Sequence, residues 1–173
     1  MGEYSGSTQQ TAVGVRVAIV ASRYNEEVVE QLVHSAQSVY IERGGVTDYL
    51  TTTWVPGAFE IPLMAKRVAE AHNVDAVVAC GAVVRGDTPH FDFIAAECTR
   101  GLMTAMLETK VPMIYGVLTT ENQDQARERI KGGTAGDKGA EAMEAALEMV
   151  SLLRALPFGG SDGDNTAWIR AGK

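Results

Sequence analysis

The sequence predicts an α/β fold, a three-layer sandwich in which a four-stranded parallel sheet lies between helices on both faces. Two observations lead to this fold class. Short apolar runs of strand length alternate along the chain with segments of helical periodicity, which is typical of parallel strands joined by helices. In addition, residues 76–84 are apolar throughout, as expected of a strand that is buried on both faces.

The first half of the chain supplies two strands and two helices. The first strand is predicted over residues 15–21. A helix follows from Asn25, a residue type that caps helices, and ends at the glycine pair 44–45. Residues 49–55 are rich in β-branched and aromatic side chains and are predicted to form the second strand. Residues 60–71 have the periodicity of a second helix.

The second half of the chain continues the alternation. After the buried strand at residues 76–84, a long helix is predicted from about residue 89 to residue 108, and a fourth strand over residues 111–119. Residues 123–130 are predicted to form a short helix. The alanine-rich segment 139–155 closes the domain as a final helix.

Length, charge and composition limit the possible functions. The 173 residues suffice for one domain with a full hydrophobic core, predicted over residues 15–156, while segments 1–14 and 157–173 are expected to be flexible. The formal net charge of −7, without a basic run, argues against a nucleic-acid partner. No apolar run suits a membrane span and no secretory signal pattern is visible, so a cytoplasmic location is expected. Cys80 and Cys98 are too few for a disulfide framework or a set of metal ligands.

A ligand of this fold is expected at the carboxyl ends of the strands, where loops lead into helices. This rule nominates residues 22–25, 55–60, 81–90 and 115–120. The third segment is the richest, because Gly86, Asp87 and Thr88 precede a predicted helix whose free N–H groups favour an anion. His90 follows in the first turn, and its titration range suits a general acid or base. A plainer interpretation is that Asp87 or Thr88 caps the helix and His90 is merely exposed, and these residues alone leave the choice open.

Other candidate residues also have two interpretations. Phe59 and Glu60 could pack against a flat ring and bind its polar edge, or could be a core aromatic and a solvated carboxylate after a Pro-Gly turn. Tyr24 and Tyr115 could stack on a planar ligand, although a lone tyrosine more often packs within the protein. Arg129 could hold a phosphate, although a solvated helix face is the default for its charged surroundings.

Taken together and in order, these segments resemble the lumazine synthase family. The resemblance extends from about residue 15 to residue 156 and is carried by Ser22-Arg23-Tyr24-Asn25, Trp54-Val55-Pro56-Gly57-Ala58-Phe59-Glu60-Ile61-Pro62, Gly81-Ala82-Val83-Val84-Arg85-Gly86-Asp87-Thr88-Pro89-His90-Phe91-Asp92, Tyr115-Gly116-Val117-Leu118-Thr119-Thr120 and Asp137-Lys138-Gly139. Each motif is modestly specific, whereas the ordered set is highly specific. Tyr24 and Tyr115 stand where the family frequently has Phe or Trp, and segment 131–137 is slightly longer than in some shell-forming members.

The resemblance implies a flavodoxin-like topology and a transferase that uses no cofactor and no metal. Enzymes of this family condense 5-amino-6-(D-ribitylamino)uracil with 3,4-dihydroxy-2-butanone 4-phosphate to 6,7-dimethyl-8-ribityllumazine. The reaction releases phosphate and water and is the penultimate step of riboflavin biosynthesis.

The resemblance also implies roles for individual positions. His90 matches the proton-transfer histidine. Binding of the pyrimidine and its ribityl chain is implied for Tyr24, Ala58, Phe59, Glu60, Ala82, Val83, Val84 and Tyr115. Binding of the phosphate is implied for Asp87, Thr88 and Arg129.

Family members are homopentamers, and some stack into decamers or close into icosahedral shells. Each site lies between adjacent subunits, so Tyr24, Phe59 and His90 are expected from one chain and Tyr115 and Arg129 from its neighbour. The expected partners are therefore small-molecule substrates and further copies of the chain, without nucleic acid or membrane. Two alternatives are a flavin- or lumazine-binding shell protein with little turnover, which would need neither His90 nor Arg129, and a flavodoxin-like binding module, which would need a phosphate loop after the first strand.

Overall fold

The computed structural model describes residues 10–71 and 73–156. The four strands are β1 (Val17–Ser22), β2 (Leu50–Val55), β3 (Ala76–Val84) and β4 (Met113–Thr120). The five α-helices are α1 (Glu26–Glu42), α2 (Ile61–Glu70), α3 (His90–Thr109), α4 (Gln123–Arg127) and α5 (Lys138–Ala155), and short 3-10 helices lie at Thr47–Tyr49 and Ala58–Glu60. Most of the predicted N-terminal segment and the whole predicted C-terminal tail lie outside the described residues.

All four strands are parallel and their order in the sheet is β2-β1-β3-β4. Helices α1 and α5 pack on one face of the sheet, and α2 and α3 pack on the other. The predicted three-layer sandwich with flavodoxin-like topology is therefore confirmed. The predicted bounds of the third strand, residues 76–84, agree with the structure, because the central strand is buried along almost its whole length.

Helices α1 and α5 approach each other closely at Gly139. A Cβ atom at this position would overlap the backbone oxygen of Leu32, so only glycine fits there. Nearby, the buried Tyr40 hydroxyl donates a 2.6 Å hydrogen bond to the carbonyl of Val15. These contacts fix the layer that supports β1 and β3 from one side.

Some predicted boundaries are wrong by a few residues. β1 begins at Val17 and not at residue 15, because its ladder with β3 starts there, opposite Ala76. β2 begins at Leu50, since the preceding residues form a 3-10 turn. The short helix after β4 ends at Arg127 and not at residue 130, because the chain turns back there and Gly133 donates to the carbonyl of Ile130 at 2.9 Å.

Candidate functional site

The strand order creates a crevice at the carboxyl ends of β1 and β3. β1 is flanked by β2 and β3, so the strand order reverses direction between β1 and β3 and the loops that follow these two strands diverge. Open α/β sheets bind ligands at such switch points. We call this feature the β1–β3 crevice, with residues 23–25 as one wall and the β3–α3 loop, residues 85–89, as the other. The last residues of β3 lie between these two loops in chain order, and they are mostly buried: Ala82, Val83 and Val84.

Asn25 occupies the predicted N-cap position of α1, and its carbonyl accepts from the peptide N–H groups of Val28 and Val29, but its side chain does not make the capping hydrogen bond. The backbone of Asn25 is left-handed, with φ of 59°. Its side-chain Nδ2 donates instead to the carbonyl of Ala82 at 2.8 Å, and Oδ1 accepts from Nε2 of Gln123 at 3.0 Å. Asparagine tolerates left-handed backbone better than most residues, which makes this geometry accessible. Asn25 thereby links the loop after β1 to the end of β3 and to the start of α4.

Two exposed aromatic rings stand at this edge of the sheet. The loops that carry them are joined, because the peptide N–H of Arg23 donates to the carbonyl of Val55 at 2.9 Å and that of Tyr24 to Pro56 at 3.1 Å. Tyr24 is 74% exposed and Phe59 is 56% exposed. Neither ring is part of the core, contrary to the plainer interpretation of each.

The carboxylate of Glu60 closes the turn after β2. Its Oε2 accepts a hydrogen bond from the peptide N–H of Gly57 at 2.9 Å, while Ala58 is buried between them in the chain. A carboxylate oxygen has more than one acceptor site, so Glu60 can still accept from hydroxyl donors. The turn therefore holds a carboxylate acceptor next to Phe59 in the chain.

The β3–α3 loop is exposed from end to end, and so is His90, where α3 begins. Pro89 precedes the helix, and no side chain caps it. The plainer interpretation, in which Asp87 or Thr88 is a helix cap, is therefore wrong. Within the described chain, no side chain caps the first-turn N–H groups of this 20-residue helix. These free N–H groups therefore lie beside the exposed imidazole of His90.

Arg85 is a residue of this site that the sequence reasoning did not assign. Its Nε donates to Glu121 at 2.7 Å, and its two terminal nitrogens donate to the carboxylate of Asp92 at 3.1 and 2.9 Å. Its guanidinium also lies 4.1 Å from the ring centroid of Phe91. Hydrogen bonding between the two groups raises the pKa of Arg85 and lowers the pKa of Asp92.

Tyr115 lies inside β4 and not in a loop after it, so the predicted loop position of segment 115–120 is wrong. It pairs with Ala79, five residues before the last pair of the ladder, Val84 with Thr120. At the rise of a strand this places Tyr115 roughly 16 Å from the carboxyl edge of the sheet. Its ring lines an open groove of about 750 Å³ between α3 and β4, and desolvation by burial raises its pKa.

Arg129 follows α4 and is held by its own segment. Its guanidinium donates to the carbonyl of Gln125 at 2.8 Å, and its own carbonyl accepts from the peptide N–H of Lys138 at 3.0 Å. Within residues 10–71 and 73–156, Arg129 makes no hydrogen bond to the β3–α3 loop. The half-buried side chain is thus oriented, but it is not placed against His90 by contacts within one chain.

The two thiols do not contribute to the crevice. Burial raises the pKa of Cys80 to about 12 and that of Cys98 to about 11, so neither is a ready nucleophile. In the described part of the chain, no three His, Cys, Asp or Glu side chains form a group that could hold a metal ion. No helix found there is both long and apolar enough to cross a membrane.

The chain is similar in sequence to known proteins over almost all of the described residues. A family model described as 6,7-dimethyl-8-ribityllumazine synthase matches residues 14–154. An enzyme of that name from Thermus thermophilus is 52% identical over 146 residues, which cover 84% of this chain and 92% of that protein. Another from Gemmatimonas aurantiaca is 46% identical over 165 residues, 95% of this chain and 99% of that protein. A third, from Chlorobium limicola, is 46% identical over 144 residues, 83% of this chain and 92% of that protein.

Proposed function

Because the chain belongs to the 6,7-dimethyl-8-ribityllumazine synthase family, we propose that the β1–β3 crevice is its active site and that His90 moves the protons. The chain condenses 5-amino-6-(D-ribitylamino)uracil with 3,4-dihydroxy-2-butanone 4-phosphate in riboflavin biosynthesis, and releases phosphate and water. One observation carries the assignment of the site: exposed His90 begins an uncapped helix directly after the β3–α3 loop.

The condensation needs orientation and proton transfer more than a strong nucleophile. An amine of the pyrimidine adds to the ketone, and water leaves as a Schiff base forms. Phosphate then departs, the second nitrogen adds to the remaining carbonyl, and a second water leaves as the ring closes. Each of these steps moves a proton, and one positioned acid–base group contributes about 10²–10⁴-fold. Holding both substrates in register contributes roughly 7–11 kcal/mol more. His90 and a shaped crevice can therefore account for the reaction without a cofactor.

The pyrimidine is proposed to lie between the exposed rings and the end of β3. Tyr24 and Phe59 supply the flat faces, and the turn at Glu60 and Ala58 supplies acceptors and shape for the ribityl chain. The end of β3 contributes backbone groups of Ala82, Val83 and Val84. The exposure of both aromatic rings supports this arrangement, because it leaves each ring accessible to a planar ligand.

The phosphate is proposed to bind at the β3–α3 loop, with Asp87 and Thr88 beside it and Arg129 as its cation. Free N–H groups at the start of α3 and a positive helix end favour an anion there. Arg129 offers a planar fork that suits phosphate oxygens. A phosphate group held at this point would depart close to His90, which can protonate it as it leaves.

We propose that each site is completed by a neighbouring subunit of a homopentamer. Tyr115 supports this, because it lies roughly 16 Å from the carboxyl edge of its own sheet. Arg129 supports it too, because its hydrogen bonds hold it to its own segment and not to the β3–α3 loop. The proposed pentamer acts in the cytoplasm, and native mass spectrometry would distinguish it from a decamer or an icosahedral shell.

The experiment that tests the assignment is turnover with both substrates, followed by the absorbance of the lumazine. His90→Ala should lower kcat by about 10²–10⁴-fold. Arg129→Ala should raise KM for the phosphorylated substrate more than KM for the pyrimidine. Arg127→Ala is the matched control, since Arg127 lies two residues away and pairs only with exposed carboxylates of Glu27 and Asp124 in the described chain. Equal effects of the two arginine variants would refute the phosphate assignment.

A further inference from the structure

Arg85 connects three elements around the β3–α3 loop. It follows β3 directly, and its peptide N–H extends the ladder by donating to the carbonyl of Thr120 at 2.9 Å. Its side chain reaches Asp92 in the first turn of α3 and Glu121 after β4. Because Asp92 lies seven residues along the chain, this contact ties the start of the loop to the helix that follows it.

The geometry of this cluster is better than that of an ordinary surface ion pair. The pair with Asp92 is bidentate, the guanidinium stacks on Phe91, and the Arg85 side chain is only 36% exposed. Isolated exposed pairs often contribute nothing measurable, whereas bidentate pairs in a network fix a geometry. The cluster therefore holds one arrangement of the loop ends.

The residues between these anchors have few restraints of their own. Within residues 10–71 and 73–156, the side chains of Asp87 and Thr88 make no hydrogen bond, and a Cβ atom at Gly86 would meet nothing within 4 Å. The path of the loop is therefore set by its two ends. The Arg85–Asp92 pair bridges those two ends, on either side of the loop N–H groups that precede His90.

We propose that Arg85 is a positioning residue, which holds the β3–α3 loop so that the phosphate and His90 are in register. This inference rests on the proposed function of the crevice. We assign Arg85 a role through Asp92 and not as a phosphate ligand, because three of its five N–H donors already bind the carboxylates of Asp92 and Glu121, which neutralise its charge and fix its orientation. A displaced loop would weaken the grip on the phosphorylated substrate and leave the pyrimidine site intact.

The test compares Arg85→Met, Asp92→Asn and the double variant by steady-state kinetics and by titration with inorganic phosphate. In both single variants KM for the phosphorylated substrate and Kd for inorganic phosphate should rise about tenfold, since small misplacements of bound groups have large effects. KM for the pyrimidine should stay within about twofold of wild type. The double variant should be no worse than Arg85→Met, because both changes remove the same contact. Arg43→Met is the matched control, as Arg43 is 34% exposed and pairs with Glu144 at 2.9 Å at the end of α1.

Several results would overturn the proposal. The proposal is refuted if Arg85→Met leaves KM for the phosphorylated substrate and Kd for inorganic phosphate unchanged. It is also refuted if the increase in Kd in the double variant is the product of the increases in the two single variants. If Asp92→Asn left the phosphate Kd unchanged while Arg85→Met raised it, Arg85 would be a direct ligand and not a positioning residue. A wild-type protein that bound phosphate but formed no lumazine would refute the proposed function instead, and the phosphate titration would still decide the role of Arg85. If Arg85→Met did not fold, the same measurements would be made on Asp92→Asn and on Arg85→Lys. A lysine at position 85 keeps the charge but cannot pair with both carboxylates as the guanidinium does.

Discussion

Asn25→Asp replaces a hydrogen-bond donor at the centre of the site with a carboxylate oxygen, which adds one negative charge and leaves the shape of the side chain unchanged. The two side chains have the same shape, and both tolerate left-handed backbone. The carboxylate can still accept from Gln123, but it cannot donate to the carbonyl of Ala82. The variant therefore tests the contact between the β1 loop and the end of β3.

The magnitude follows from the burial of Ala82. The β1–β3 ladder ends at the pair Ala21 and Cys80, two residues before Ala82, so β1 supplies no donor there and Asn25 takes its place. Ala82 is only 2% exposed, and a buried acceptor left without a partner costs about 1–3 kcal/mol. The new carboxylate oxygen would also face the carbonyl oxygen, which adds repulsion.

Urea unfolding at one fixed protein concentration measures this cost, because oligomer stability depends on concentration. We expect the midpoint to fall without a change in slope. KM for the pyrimidine should rise more than KM for the phosphorylated substrate, since the end of β3 is displaced. Gln123→Ala, which removes only the exposed contact of Asn25, is the control and should have a smaller effect. Equal midpoints for wild type and Asn25→Asp would refute the reasoning.

Further predictions concern packing and titration. Gly139→Ala should destabilise the protein by about 1–3 kcal/mol, because its Cβ would overlap the backbone oxygen of Leu32; an unchanged unfolding midpoint would contradict this contact. Cys80 and Cys98 should resist iodoacetamide at pH 8 until urea unfolds the protein, and rapid labelling of the folded protein would show that the thiols are accessible. Burial raises the pKa of Cys80 from 9.0 to about 12, so as the pH rises the unfolded state loses this proton first. The free energy of unfolding should therefore be unaffected by Cys80 below pH 9 and should decrease as the pH rises above it. Denaturant unfolding at several pH values measures this change.

The fold and the approximate location of the site could be predicted from local patterns. The predicted bounds of β3 are correct because an uninterrupted apolar run of this length is typical of a central strand in a parallel sheet. The rule that ligands bind at the carboxyl ends of parallel strands then predicts that Tyr24, Phe59 and His90 lie at the same edge of the sheet, and in the structure all three are exposed. The family and its activity are confirmed by the matches over residues 14–154.

The remaining features depend on partners that are distant in sequence. Asn25 has the residue type of a helix cap, but its amide binds Ala82, 57 residues away, and the backbone follows that contact. Arg85 binds Glu121, 36 residues away, which no local pattern reveals. The predicted loop position of Tyr115 is wrong because the strand predicted over residues 111–119 already contains it, and the ladder runs on to Thr120, five residues beyond. The roles of the candidate residues stay predictions, because they depend on substrates and on a second subunit.

The most direct test of the central claim is complementation between two variants that each lack one residue of the proposed shared site, assayed at a concentration of the phosphorylated substrate far below the KM of Arg129→Ala. His90→Ala and Arg129→Ala subunits would be dissociated, mixed in equal amounts and reassembled, and lumazine formation would be measured. If each site takes His90 from one chain and Arg129 from its neighbour, random mixing restores about one quarter of the sites, and about one quarter of wild-type activity should return. Activity no greater than that of the two variants measured separately would contradict a shared site.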